Sequence, residues 1–525
     1  MRITILSILA LCSSLFVAAQ SDIDVLHYKF EIELNDNNDS IKGKATISLR
    51  FLHRSEKIIL DLAAPDRSGK GMKASSFFPN GKAMAVKQTA QEIELTLLKE
   101  ARVGDSATVI IEYKGIPSDG LIISKNKYGN RTFFADNWPN RGHNWLPCHD
   151  DPADKATVEF IVTAPQHYQV VSNGIQIEET NLADKKRTHW KEDVPISTKV
   201  MVIGAADFAV GLAGVVDGCI PVYSWVYPED HDKGFYDYAL AADILPWFIK
   251  KVGPYAYKKL ANVQSKTIFG GLENANTIFY AEESVTGKRS KEATVAHEIS
   301  HQWFGNMATE KTFAHLWLSE GFATYMTVLY MGEKYGRDTA VAMLKEDRNK
   351  VVSFAKTSDR PVVDDSKDYM ELLNANSYEK GGWVLHMLRQ KTGDSIFWKS
   401  IRNYYAKYAG KTAGTDDVRK VFEETSGLDL EHFFKQWLYT PGVPQLNVSW
   451  KYDAAKKDLL LTIEQKKRLF EFPLEILVET AKGNTSKQIL ISKSIETFSI
   501  PVKEKPSRLL LDPNTTALFD ANLTN

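Results

Sequence analysis

The spacing of apolar residues changes twice along this chain, and that constrains the fold more than any other feature. From His27 to Leu34, Tyr28, Phe30, Ile32 and Leu34 fall on one face. After the turn cluster Asn35 to Ser40, Ala45, Ile47, Leu49 and Phe51 alternate again. That pattern predicts a hairpin with one buried face. Strands of the same kind are expected at 108–113, 157–163 and 199–203, punctuated by Gly115-Ile116-Pro117. Residues 20–208 therefore read as an antiparallel β domain. Beyond about Val210 the period becomes helical. A helix over 235–252 ends at the stop signal Gly253-Pro254. Others are expected at 291–306, 313–335, 377–392, 395–408, 415–426 and 429–440. This α-rich unit spans 209–441. Thr440-Pro441-Gly442-Val443-Pro444 breaks it. Alternation returns at 446–452, 459–465, 474–480, 487–491 and 509–512, giving a small β domain over 442–525.

Residues 1–19 read as a secretory signal peptide, cut after Ala19 or Gln20. Arg2 precedes an apolar run interrupted by Thr4, Ser7 and Cys12 to Ser14, and Val17-Ala18-Ala19 supplies small residues before the cut. The run is short for a membrane span. A lipoprotein cut before Cys12 lacks the small residue expected in place of Leu11. The mature protein is expected to be exported, periplasmic or extracellular, without stable membrane insertion. Of 3 cysteines, Cys148 and Cys219 survive the cut, either paired or as two buried thiols. Asn130 and Asn514 begin glycosylation sequons, relevant only in a host that glycosylates. The formal net charge of −1 leaves no basic footprint for nucleic acid.

The chemistry concentrates in His297-Glu298-Ile299-Ser300-His301. Two histidines at i and i+4 share a helix face, with Cβ atoms about 5–6 Å apart, close enough to reach one tetrahedral zinc. Glu298 follows the first ligand and reaches a water on the metal. The rival reading is a surface helix with two solvated histidines. A zinc hydrolase needs a third protein ligand and an open position. Trp317-Leu318-Ser319-Glu320-Gly321-Phe322-Ala323 offers Glu320 on a later helix. His315 is a competing ligand, but the helical period turns it away from Glu320. Phe304 and Met307 stand where the metzincin pattern needs Gly and His, so that subclass is excluded.

These residues resemble the aminopeptidase N family of zinc gluzincins, whose relatives include the leukotriene epoxide hydrolases. The similarity runs through HEISHQWFGNMATEKTFAHLWLSEGFATYM from His297, Phe269-Gly270-Gly271-Leu272-Glu273-Asn274, Ser377-Tyr378-Glu379-Lys380-Gly381 and LPCHDDPADKATVEF from Leu146. The resemblance implies a multidomain α and β fold. It comprises a saddle-like N-terminal β domain, a thermolysin-like α-rich catalytic domain and a small C-terminal β-sandwich. The long helical C-terminal domain of larger relatives is expected to be missing, leaving a more open cleft.

The resemblance also implies roles. His297, His301 and Glu320 would hold one Zn²⁺, with Glu298 as general base. Tyr378 would stabilise the oxyanion, because a phenol keeps its proton at neutral pH. Glu273 would pair with a free α-ammonium, making the enzyme an exopeptidase on peptides with a free N-terminus. Gly270, Gly271, Leu272 and Asn274 belong to the same substrate-binding strand, where missing side chains permit close approach. Asp136 is a second candidate acid near the amine. Leu272 replaces the family's usual Met, Ser319 stands where Asn is frequent, and His315 where an acid is common. These departures bear on specificity. A thermolysin-like endopeptidase, an epoxide hydrolase and a peptide-binding protein with a dead site are the competing functions.

Overall fold

Alternating side chains build the first sheet. Tyr28, Phe30 and Ile32 point inward from Ile23–Glu33, and Ala45, Ile47 and Leu49 do so from Ile41–Phe51. The structure is a computed structural model that describes residues 22–77 and 84–524, and every count of elements or partners below is of these residues. The signal peptide read at residues 1–19 lies outside them. The seven-stranded sheet runs, in space, Ile175–Leu182, Lys185–Ser197, Lys155–Pro165, Ile23–Glu33, Ile41–Phe51, Ser106–Ile116 and Gly71–Phe77. The expectation of a wholly antiparallel domain is corrected here. Ile23–Glu33 pairs with Lys155–Pro165 in parallel, which the long connection between them makes possible.

The strand expected at 199–203 is also corrected. Thr198–Val200 is a 3₁₀ turn, and the strand begins only at Ile203. Lys199 is drawn inward at this turn, where its ammonium pairs with Glu310 in the interior.

The middle of the chain is less purely helical than its spacing suggests. A five-stranded sheet runs Ala209–Val216, Ile220–Val226, Leu260–Ser265, Thr277–Ala281 and Gly271–Leu272. Its three central strands are parallel, and Gly271–Leu272 closes one edge antiparallel to Thr277–Ala281. The helix expected over 235–252 is two, His231–Tyr238 and Leu240–Lys251. Arg337–Thr357 is a helix with no counterpart in the sequence reading.

After the Pro-Gly break, Ile495–Pro501, Asp458–Lys466, Gln445–Asp453 and Asp520–Thr524 form one sheet. Gly483–Ile491, Phe472–Thr480 and Arg508–Leu511 form another. Their alternating apolar residues, such as Val448, Leu461, Ile476 and Val478, are buried, as a small sandwich requires. No described helix is long and apolar enough to cross a membrane. Cys148 is buried and Cys219 exposed, and both are free, so among the described residues there is neither a disulfide nor a second buried thiol.

Candidate metal and peptide site

Two helices bring the predicted ligands together. Glu292–Ser300 carries His297 and ends at His301, and Trp317–Tyr335 carries Glu320 in its first turn. His297 Nε2 lies 3.3 Å and His301 Nε2 lies 3.4 Å from Glu320 Oε2. A tetrahedron with metal–ligand bonds of about 2.05 Å has edges of about 3.3 Å, so these donors fit zinc. The three side chains form a group whose ligand atoms all lie within 4.8 Å of one another. His315 is elsewhere, with its ring on Thr415 Oγ1 at 2.9 Å.

The His301 tautomer is set by its surroundings. Nδ1 lies 3.1 Å from the Phe304 carbonyl, which can only accept, so Nδ1 carries a proton and Nε2 is the nitrogen left to face a metal. Ser319 Oγ sits 3.0 Å from the same Nδ1. Sequence reasoning noted Ser319 only as a departure from the family. Its place just before Glu320, facing the second histidine, was the available signal. Gly305, at φ +113°, makes this turn possible, since a Cβ there would lie 2.3 Å from Ser319 Oγ.

Burial raises the Glu298 carboxyl well above the ordinary range; His301 opposes this, while the Glu273 and Glu320 carboxylates add to it. Burial acts on Glu320 in the same sense, but the two histidine rings outweigh it and hold Glu320 well below that range. Tyr378 lies in the π-turn Asn376–Lys380, its ring stacked on His297 at 6.1 Å between centroids. Burial, with the nearby carboxylates, keeps its phenol protonated. The turn reaches the ligand helix because two glycines meet: a Cβ on Gly321 would lie 2.8 Å from Gly381 Cα. Lys380 anchors the turn from behind, donating to the carbonyls of Thr440 and Gly442 at 3.3 and 2.8 Å.

A cavity of about 430 Å³ opens over the metal group. Gly270, Gly271, Leu272 and Glu273 line it on one side, and Tyr378 on another. Glu273 is 5% exposed, and its Oε1 has no partner. Asn274 is buried beside it, with its amide likewise unpartnered. The two glycines differ in kind. A Cβ on Gly270 would meet open space, whereas on Gly271 it would strike Glu298. Asp136 is not brought to the cavity. It is fully buried, bound by Arg141 and accepting from Thr267 Oγ1 and Ile268 N at 3.0 and 3.2 Å. It pins the start of the cavity-lining segment, and Trp138 lines the cavity in its stead, set edge to face against Phe269.

The profile described as the peptidase family M1 domain matches residues 236–437, and that of the peptidase M1 N-terminal domain matches residues 25–200. The chain belongs to the peptidase M1 family. This M1 chain is 26% identical to glutamyl aminopeptidase of Homo sapiens over 511 residues, 90% of this chain and 53% of that protein. It is 24% identical to leukotriene A-4 hydrolase of Xenopus laevis, over 93% of this chain and 82% of that protein. Its fold matches the crystal structure of Legionella pneumophila aminopeptidase A in complex with aspartic acid with a TM-score of 0.82 at 18% identity, covering 96% of this chain and 60% of that one. The M1 chain spans 36% of the rice aminopeptidase M1-C and 55% of the probable aminopeptidase 1 of Sulfurisphaera tokodaii, two further relatives.

Proposed function

We propose that this M1 protein is a zinc-dependent aminopeptidase that removes the N-terminal residue from peptides with a free N-terminus. The observation that carries the reading is the unpartnered carboxylate oxygen of Glu273 at the wall of the cavity over His297, His301 and Glu320. A buried acceptor without a donor costs about 1–3 kcal/mol, and an α-ammonium supplies the missing donor with a charge of the right sign. His297, His301 and Glu320 would hold one zinc per chain, which would supply polarisation of a carbonyl and a lowered pKa for water. Glu298 takes a proton during attack and returns it to the leaving amine, a task suited to its raised pKa. The Tyr378 hydroxyl donates to the oxygen on which charge develops. The free edge of Gly271–Leu272, beside the open space at Gly270, suits a substrate backbone in extended form.

We propose that the protein is exported, because residues 1–19 read as a signal peptide, and N-terminal sequencing of the mature protein tests this. The reaction is tested with paired amides, one with a free amine and one N-acetylated. The free amide is cut in a chelator-sensitive manner and the capped one only at a small residual rate. Equal cleavage of both would favour an endopeptidase, and cleavage of neither a peptide-binding protein.

A further inference from the structure

Glu273 is poorly held by its own strand. The edge strand Gly271–Leu272 has only two residues, and the chain leaves it in a tight turn closed by Asn274 N–H to the Leu272 carbonyl at 2.9 Å. Glu273 is the central residue of that turn, so its carbonyl has no ladder partner. Two side-chain amides take it instead: Asn306 Nδ2 donates to it at 2.6 Å and Gln302 Nε2 at 3.1 Å. Because a carbonyl can only accept, these contacts also fix which way both amides face.

Asn306 is itself held from another part of the molecule. It lies in the turn after His301, its N–H bonded to the His301 carbonyl at 3.0 Å. Lys155, at the start of a strand in the N-terminal sheet, donates its ammonium to the carbonyls of Asn306 and Met307 at 3.0 and 2.7 Å. Among the described residues no carboxylate lies within salt-bridge distance of Lys155. An ammonium satisfied by two carbonyls is a weak source of net stability, since its desolvation opposes the gain. It is an effective way to fix the path of a turn.

We infer that Lys155 and Asn306 form a positioning relay for the amine-anchoring carboxylate, through which the N-terminal β domain sets the exopeptidase selectivity of the metal site. Neither residue lines the cavity over the metal group. The relay runs from the Lys155 ammonium to the backbone of 306–307, from the Asn306 amide to the Glu273 carbonyl, and so to the Glu273 side chain. The inference rests on Glu273 being the amine anchor.

The test uses the full chain with its zinc and measures kcat and KM on a free aminoacyl amide and on its N-acetylated counterpart. Wild type, Glu273→Gln, Asn306→Ser, Lys155→Met and the double variant Asn306→Ser with Glu273→Gln are compared, with zinc content and Tm recorded. Asn306→Ser and Lys155→Met are each expected to raise KM for the free substrate by about tenfold with kcat changed less than about threefold. Residual cleavage of the capped substrate stays unchanged, so the ratio of free to capped kcat/KM falls about tenfold. Adding Asn306→Ser to Glu273→Gln should lower that ratio no further. A loss shared equally by both substrates, or additive effects in the double variant, would overturn the relay while leaving Glu273 as anchor. If Asn306→Ser does not fold, Lys155→Met reads the same relay from its other end. A wild type that cuts both substrates equally would instead remove the anchor reading.

Discussion

A Cβ added to Gly271 would sit 2.3 Å from Glu298 Oε1. The proposed general base therefore packs directly on the backbone of the edge strand that lines the cavity. This glycine has no positive φ, so what it supplies is room for a carboxylate.

Gly271→Ala is accordingly expected to displace Glu298 while leaving the zinc ligands in place. A shift of about 1 Å in a base lowers kcat by about 10- to 100-fold. Steady-state kinetics with zinc analysis checks this, and an unchanged kcat would contradict the close packing.

Glu298→Gln and Tyr378→Phe should separate proton transfer from charge stabilisation. Glu298→Gln is expected to abolish turnover with zinc still bound. Tyr378→Phe removes one donor to the developing oxyanion and should lower kcat by about 10²- to 10³-fold, with KM within about threefold of wild type. Loss of zinc in Glu298→Gln, measured by elemental analysis, would make that residue structural.

Ser319→Ala removes the hydroxyl 3.0 Å from His301 Nδ1 and leaves the Phe304 carbonyl as that nitrogen's remaining partner. Zinc affinity is expected to fall by about tenfold or more, as for other residues that orient a metal ligand. Competition with a chelator measures this directly.

The metal-free site should also bind zinc more tightly as pH rises. Burial disfavours the charged His301 ring, but Glu320 outweighs it and lifts His301 to about 10. Below that pH the site without metal holds a second proton on His301, at Nε2 facing Glu320, which zinc must expel. The apparent affinity then increases by about tenfold per pH unit for one released proton. Chelator competition at pH 6 and pH 8 checks it, and a flat profile would show that His301 is already neutral.

The metal ligands were legible because i and i+4 on a helix is a geometric statement about one face, and the Glu320 helix carried its own pattern. The parallel strands of the middle domain were not. Leu260–Ser265 is buried at all six positions, yet its polar Asn262, Gln264 and Ser265 bond within the interior and erase any alternation. The Arg337–Thr357 helix was missed for the opposite reason: only Leu344 and Val351 are fully buried, so its apolar stripe is thin. Asp136 was misplaced because an acid near a motif looks free in sequence, while Arg141, only five positions on, already neutralises it.

The grip of Lys380 on the Thr440 and Gly442 carbonyls reaches past chemistry into how the chain divides. The stretch joining the helical unit to the sandwich doubles as the rear wall of the Tyr378 turn. A fragment cut at the apparent boundary near 441 would lose the nearer of these two acceptors, the Gly442 carbonyl, and loosen the turn that carries the Tyr378 phenol. A fragment that keeps the Tyr378 turn intact should thus extend beyond Gly442, and what looks like a spacer between modules is part of the candidate site.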